Sequence, residues 1–329
     1  MNKYLVFLES FTKRKTIKNF LPNNYEIFAT GGHLTELTKS GYYNLGIDLV
    51  KFIPQYGLLP EKSKNVKFWH DYLKKNQPDL ILLATDPDRE GEAIAQEVVK
   101  LLNLQPHQYQ RLLFYEITQQ SVQQALNNLL PLNQNLVEAQ TTRQVLDRMI
   151  GFCLSPLLQK KLNALSAGRV QSVVLKLIVD REIAIREYEK KKEFILQGIY
   201  EVKGPDNKVE KYTLRQKDQQ GKLVVYSDQA QAEKVKSELD SIFLLVNEEF
   251  EERFIFAKNP LTTSLLLYEA RSQLSFSIAQ TTRLVQQLYE GIWLASKKKQ
   301  VGLVTYPRTD SYRLNKNFIQ QAYNYIQNK

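Results

Sequence analysis

Leu80-Ile81-Leu82-Leu83-Ala84-Thr85 runs directly into Asp86-Pro87-Asp88-Arg89-Glu90-Gly91-Glu92, and this junction decides the fold. The apolar run predicts a buried strand of the kind parallel sheets use, because both of its faces are oily. Glu92-Ala93-Ile94-Ala95-Gln96-Glu97-Val98-Val99 then takes up a helical period, so a helix is predicted over 92–102. Asp86, Asp88 and Glu90 alternate between them. A carboxylate cluster at the carboxyl end of a parallel strand lies in the crevice where open α/β sheets bind ligands. Clustered carboxylates repel one another, and a hard divalent cation such as Mg²⁺ is the usual relief. The plainer alternative is an acidic helix start that complements the helix dipole.

The flanking sequence repeats the pattern. A strand is predicted over 3–8, ending at Glu9, then a basic helix over 12–20 and a strand over 25–30 closed by Gly31-Gly32-His33. A Gly- and Tyr-rich loop follows (40–57), then a helix over 64–75 and one from an N-cap at Thr118 through Leu130. Strands alternating with helices predict a doubly wound parallel sheet for residues 1–135. Residues 136–193 read as helical, with helices over 138–152 and 170–188 broken at Ser166-Ala167-Gly168. Residues 194–258 read as β-rich, with strands over 194–202 and 223–226. Residues 259–329 are mainly helical and carry Thr305-Tyr306-Pro307-Arg308-Thr309-Asp310-Ser311. The fold class is therefore multidomain, α/β followed by α+β.

At 329 residues the chain exceeds one ordinary core. No apolar stretch approaches the roughly 18 residues of a membrane span, so no membrane is expected. Cys153 is the single cysteine, which excludes internal structural disulfides and zinc ribbons and fits a reducing cytoplasm. A net charge of +10 points to a polyanionic partner, nucleic acid among others. No phosphate-binding Gly-Lys-Ser/Thr loop occurs, so no nucleotide is expected.

Several residues carry chemistry. Glu9 and the Asp86/Asp88 pair both stand at predicted strand ends, which face one crevice in a doubly wound sheet. Lys13 lies one helical turn beyond Glu9 and could aim an ammonium at a phosphate; within Lys13-Arg14-Lys15 it could equally face solvent. A phenol with a pKa of about 10 is a weak nucleophile and needs a cation beside it, a part that Arg308 would suit relative to Tyr306. Most of the 18 tyrosines must nevertheless be packing or surface residues. Arg143 and Arg148 flank Asp147, and Lys160, Lys161 and Arg169 follow beside small residues that would let a sugar-phosphate backbone approach. The same cations also suit a solvated helix face. His70, His107, Cys153 and the lysine runs 190–192 and 297–299 carry no pattern.

Taken together the segments resemble the type IA DNA topoisomerases, the bacterial topoisomerase I branch, in the family's order along the whole chain. Tyr4 to Lys15, Gly31-Gly32-His33-Leu34 and Ala84 to Ala95 resemble the Toprim domain. Arg143-Gln144-Val145-Leu146-Asp147-Arg148 and Leu165 to Ser172 resemble the single-strand binding helices, and Thr305 to Ser311 resembles the active-site tyrosine motif. The resemblance implies an ATP-independent isomerase. Tyr306 would attack single-stranded DNA to give a 5′-phosphotyrosine, and strand passage and religation would relax negative supercoils. It implies Mg²⁺ at Glu9, Asp86, Asp88 and Glu90, and transition-state stabilisation by Lys13 and Arg308, with Glu9 also catalytic. His33, Arg143, Gln144, Arg148, Lys160, Ser166, Ala167, Gly168, Arg169, Val170, Gln171 and Arg308 would hold DNA. A cytoplasmic monomer is expected.

Three departures stand out. Pro307 replaces the methionine usual in topoisomerase I and matches topoisomerase III. Leu266-Leu267-Tyr268 replaces a glutamine-containing sequence, and no histidine follows His107. The resemblance also makes this the N-terminal part of a ring of four domains, divided as 1–135 Toprim, 136–193 helical, 194–258 first gate segment and 259–329 tyrosine domain. Such a part is expected to bind single strands without relaxing plasmid, with Tyr306 on a loosely folded segment. The alternatives are a topoisomerase III-like decatenase, a non-catalytic single-strand-binding remnant, and a Toprim nuclease or primase.

Overall fold

A computed structural model describes residues 2–163, 165–203, 208–239, 251–296 and 298–328. The chain divides into two compact units, one of residues 1–172 with 257–329 and one of residues 173–256.

The first unit is built on β1 (Tyr4–Leu8), α1 (Phe11–Lys18) and β2 (Tyr25–Ala29). Short antiparallel pairs follow: β3 (Thr35–Leu37) with β6 (Tyr56–Leu58), and β4 (Ile47–Asp48) with β5 (Ile53–Pro54). Then come α2 (Ser63–Asn76), β7 (Leu80–Ala84), α3 (Arg89–Leu101) and β8 (Tyr109–Arg111). The main sheet has the order β2-β1-β7-β8 with every pair parallel. The chain leaves β1 towards β2 on one side and reaches β7 on the other, so the switch point lies between β1 and β7. Leu8 pairs with Ala84, which brings Glu9 and Thr85-Asp86 out of the sheet side by side.

The sheet is oily on both faces, which is why its strands do not alternate polar with apolar. Val6, Leu8, Leu82 and Ala84 pack with Ile17, Leu112, Ile117, Tyr289 and Tyr306 on one side. Leu5, Phe7, Ile81 and Leu83 pack with Trp69, Ala95 and Val98 on the other. Each such aliphatic or aromatic burial is worth about 2 kcal/mol, so the sheet's position is firmly fixed beneath the crevice.

α4 (Gln119–Leu126) begins at the Thr118 cap, but it stops short of the predicted Leu130. Leu130 instead exchanges both backbone hydrogen bonds with Arg111 at 2.7 and 3.0 Å, so the sheet edge captures it. α5 (Gln134–Met149) continues through a wide-turned helical stretch at Ile150–Leu154 into α6 (Ser155–Leu162). α6 was not expected; Pro156 lies in its first turn, where a missing N–H costs nothing. α7 (Arg169–Arg186) follows.

The second unit holds the antiparallel pair β9 (Gln197–Lys203) and β10 (Val209–Arg215), and α8 (Gln229–Glu238). The strand predicted over 223–226 is reduced to isolated bridges, Lys217 with Leu223 and Phe194 with Tyr226. Asp218 accepts from the backbone of Gln220 and Lys222, and this tight turn takes the place of a longer ladder.

Back in the first unit, α9 (Thr263–Leu274) and α10 (Ile278–Glu290) are capped by Thr262 and Ser277. The hairpin β11 (Ile292–Leu294) and β12 (Lys299–Val301) leads to Tyr306, and α11 (Lys316–Gln327) ends the described chain.

Candidate active site

The site forms where the ends of β1 and β7 meet the segment after β12. Asp88 is the N-cap of α3: its Oδ1 accepts from the Gly91 N–H at 2.8 Å. The helix therefore starts at Arg89, one turn earlier than predicted. The acidic helix start and the predicted carboxylate cluster are thus the same residues. Gly91 packs directly against the preceding turn, and a Cβ there would collide with the Asp86 carbonyl oxygen.

Asp88 Oδ2 accepts from the Tyr306 hydroxyl at 2.6 Å. Arg308 Nη1 donates to Glu90 Oε2 at 2.9 Å and reaches Asp88 Oδ2 at 3.5 Å. Tyr306 is only 6 % exposed, and its N–H donates to the Tyr115 carbonyl at 2.8 Å. Thr263 Oγ1 braces the next turn, donating to Pro307 and accepting from the Thr309 N–H at 2.8 Å. The expectation that Tyr306 sits on a loosely folded segment is therefore corrected: a buried ring and several hydrogen bonds hold it.

Burial, and then the hydrogen bond and charge of Asp88, push the Tyr306 phenol well above its usual pKa, against the pull of Arg308. In this arrangement the phenol is protonated and engaged. Lys13 is buried as well and forms an ion pair with Asp86. Burial raises the Asp86 carboxyl, and Lys13 opposes the shift. The Glu9 side chain has no hydrogen-bonding or ionic partner among the described residues. Burial and the neighbouring Asp86 raise its pKa from 4.5 to about 7, with Lys13 pulling the other way.

Hard carboxylate oxygens gathered against their own repulsion fit a divalent cation. Among the described residues no three His, Cys, Asp or Glu side chains are grouped as a cage. Asp86, Asp88 and Glu90 are each engaged by Lys13, Tyr306 or Arg308. Mg²⁺, however, is commonly held by one or two carboxylates with waters and substrate phosphates. Glu9, whose side chain has no hydrogen-bonding or ionic partner among the described residues, is the carboxylate left free for such a cation.

A cluster that sequence reasoning missed holds the acidic loop. Arg111, fully buried, donates to Glu92 Oε1 at 2.9 Å and to the Leu83, Thr85 and Asp86 carbonyls. It therefore clamps the backbone on which Asp86 stands. Glu97 was also missed: it bonds His33 Nδ1 at 2.8 Å and the Leu34 N–H at 2.6 Å. That hydrogen bond raises the His33 pKa despite burial. Glu97 lies two helical turns after Glu90 on one face of α3, a spacing that could have revealed it.

An open groove of about 740 Å³ leads away from Glu90. His33, Arg143, Gln144 and Arg148 line it, with Lys39 and Phe152. Arg148 stacks 4.5 Å over the Phe152 ring and donates to the Leu37 carbonyl at 3.2 Å. Lys160 and residues 166–171 are not in its lining. Asp147 ties Arg169 to Arg143, at 2.9 and 3.5 Å. Gln171 donates to Ser166 Oγ at 3.0 Å and Ala167 is bonded to Ser155. Gly168 and the exposed Val170 complete that turn.

A phenol, two cations and a carboxylate cluster, beside a groove lined by Lys39, Arg143 and Arg148 together with Glu36 and Asp147, are the groups that phosphoryl transfer uses. Residues 4–117 match the Toprim domain, a divalent-metal-binding fold, and residues 131–329 match the DNA topoisomerase family. The chain belongs to the type IA DNA topoisomerase family. It is 39% identical over 337 residues to DNA topoisomerase 1 of Campylobacter jejuni, covering 99% of this chain and 46% of that protein. It also matches the structure of full-length topoisomerase I from Thermotoga maritima, with a TM-score of 0.79 and 35% identity. That match covers 99% of this chain and 52% of the other. The chain thus spans about half the length of these type IA relatives. Among the described residues no helix is long and apolar enough to cross a membrane.

Proposed function

We propose that Tyr306 carries out an ATP-independent transesterification on single-stranded DNA, within a cycle of cleavage, strand passage and religation that relaxes negative supercoils in the cytoplasm. The observation that carries this reading is the hydrogen bond from Tyr306 to Asp88, inside a cluster that also holds Lys13 and Arg308. The phenol oxygen attacks phosphorus, the bond from phosphorus to the 3′ oxygen breaks, and a 5′-phosphotyrosine and a 3′-OH result.

Each residue then has a part. Asp88, already the acceptor of the phenol proton's hydrogen bond, receives that proton. Lys13 and Arg308 stabilise the charge on the phosphoryl oxygens, a task for preorganised cations. Before any cation binds, Glu9, whose pKa is raised to about 7, protonates the departing 3′ oxygen. The Tyr306–Asp88 hydrogen bond is therefore the state from which the attack begins.

Glu9, Asp86, Asp88 and Glu90 would hold Mg²⁺, which would supply positive charge that keeps the broken ends in place for resealing. The groove lined by His33, Arg143, Gln144 and Arg148 carries the single strand to the site, and Lys160 and residues 166–171 grip its continuation. Residues 1–135 act as the metal and proton-transfer domain, 136–193 as the strand grip, 194–258 as part of the gate and 259–329 as the nucleophile domain. The protein works as a monomer.

The test is adduct trapping in the intact protein: Tyr306→Phe should form no covalent DNA adduct in denaturing gels. A phenylalanine variant that still became attached to DNA would overturn the assignment.

A further inference from the structure

One fully buried side chain in the site has no part in the chemistry above. Tyr289, at the end of α10, has no solvent-exposed surface, and its hydroxyl has no hydrogen-bond partner among the described residues. Its ring does the touching. The Lys13 ammonium sits 4.9 Å from the ring centroid, and the Tyr306 ring stands edge-on at 5.4 Å and 70°.

The backbone around Tyr289 is pinned to both neighbours. Thr16 Oγ1, on the same helix as Lys13, donates to the Glu290 carbonyl at 2.9 Å. The Leu303 N–H, three residues before Tyr306, donates to the Leu288 carbonyl at 2.8 Å. Gly302 lies so close that a Cβ would meet the Tyr289 carbonyl oxygen at 2.8 Å. One ring therefore neighbours both Tyr306 and Lys13, on a backbone tied to the segment that carries each.

We propose that Tyr289 is a positioning residue for the transesterification, acting through the face and edge of its ring on Lys13 and Tyr306 and not through its hydroxyl. An ammonium taken out of water needs compensation, which Asp86 supplies on one side and the π-face on the other. With the ring in place, the Lys13 ammonium rests against both Asp86 and the π-face. Without it, the long lysine side chain regains rotamer freedom and Tyr306 loses its lateral support. The unpartnered hydroxyl points the same way, since a buried donor without an acceptor only weakens the fold. The ring, then, is what the position uses. This inference rests on Tyr306 being the nucleophile.

Two measurements test it. In the 329-residue chain, carbon-13 labelled lysine should show one side-chain signal displaced by an aromatic ring current, assigned to Lys13 by its loss in Lys13→Gln. Tyr289→Met should return that signal to the ordinary position and Tyr289→Phe should keep it displaced; a signal indifferent to Tyr289→Met would overturn the proposal. In the intact protein, Tyr289→Met should slow covalent cleavage of a single-stranded oligonucleotide by roughly 10- to 100-fold. Its affinity for that oligonucleotide should stay within about twofold, since phosphate contacts elsewhere set affinity. Tyr289→Phe should restore the rate, because the ring remains. Equal impairment in both variants would assign the effect to the hydroxyl, and an undiminished rate in Tyr289→Met would assign it to neither; both contradict the proposal. If the unsubstituted protein forms no adduct at all, the Tyr306 assignment fails while the lysine signal still decides the ring contact.

Discussion

Tyr306 and Asp88 share a 2.6 Å hydrogen bond, and Asp88 at the same time caps α3 through its other carboxylate oxygen. One side chain therefore starts the helix that carries Glu90 and holds the phenol in its protonated form. The folded chain binds the phenol proton more tightly than the unfolded chain does, since the pKa is raised. The stability this contributes is complete below a pH of about 10 and is lost as the pH rises beyond it towards the folded value. Asp88→Ala should cost about 1 kcal/mol from the lost cap and should bring Tyr306 ionisation to lower pH. Ultraviolet titration of the phenolate, taken as the difference from Tyr306→Phe, measures the second effect; an unchanged titration would contradict it.

Glu9 gives a second pH dependence, in a lower range. Its folded pKa of about 7 stands above the ordinary 4.5, so the folded state again holds the proton more tightly. The associated stability is complete below pH 4.5 and is lost as the pH rises through about 7. Urea denaturation across that window should show a decline that Glu9→Gln lacks. Added Mg²⁺ should reduce the decline by favouring the ionised carboxyl.

Arg111 and Glu92 form an ion pair that is 0% and 2% exposed. Removing one partner leaves an uncompensated buried charge, so Arg111→Met should destabilise the chain by about 3–5 kcal/mol. Arg111→Met combined with Glu92→Leu should recover part of that loss, as measured by denaturant unfolding. Equal losses in the single and double variants would mean that packing, not charge, sets the cost.

Much of this was legible in the sequence. The run Leu80–Thr85 predicted a buried parallel strand, and Glu9 and Asp86 were predicted to meet because both stand at strand ends. Leu8 pairing with Ala84 realises that meeting. The remainder depends on pairings that no local pattern encodes. Leu130 looks like helix until a sheet edge takes its backbone, and Arg111 looks like any surface cation until the fold buries it beneath Asp86. Tyr289 resembles every other tyrosine in the chain, since its role comes from Lys13 packing on its ring across a large sequence separation. The engagement of Asp86, Asp88 and Glu90 by Lys13, Tyr306 and Arg308 was likewise invisible, because spacing shows which groups gather and not which pair.

The groove makes a separate prediction. Arg148 is held over Phe152 in the lining, where a guanidinium can meet a phosphate. Arg148→Ala should weaken single-strand binding and lower the slope of log affinity against log salt by about 1. The measurement is fluorescence anisotropy with a labelled oligonucleotide over a salt series. A weaker affinity with an unchanged slope would assign Arg148 to packing.

The central claim is that Tyr306 becomes joined to the 5′ phosphate of a cleaved single strand. The most direct measurement is cleavage by the intact protein of one oligonucleotide labelled in turn at each end, followed by proteolysis and mass spectrometry of the adduct. The account predicts that the 3′-end label stays on the protein, on the peptide containing Tyr306, while the 5′-end label is released on a fragment with a free 3′-OH. Retention of the 5′-end label, or an adduct on any other residue, would contradict it.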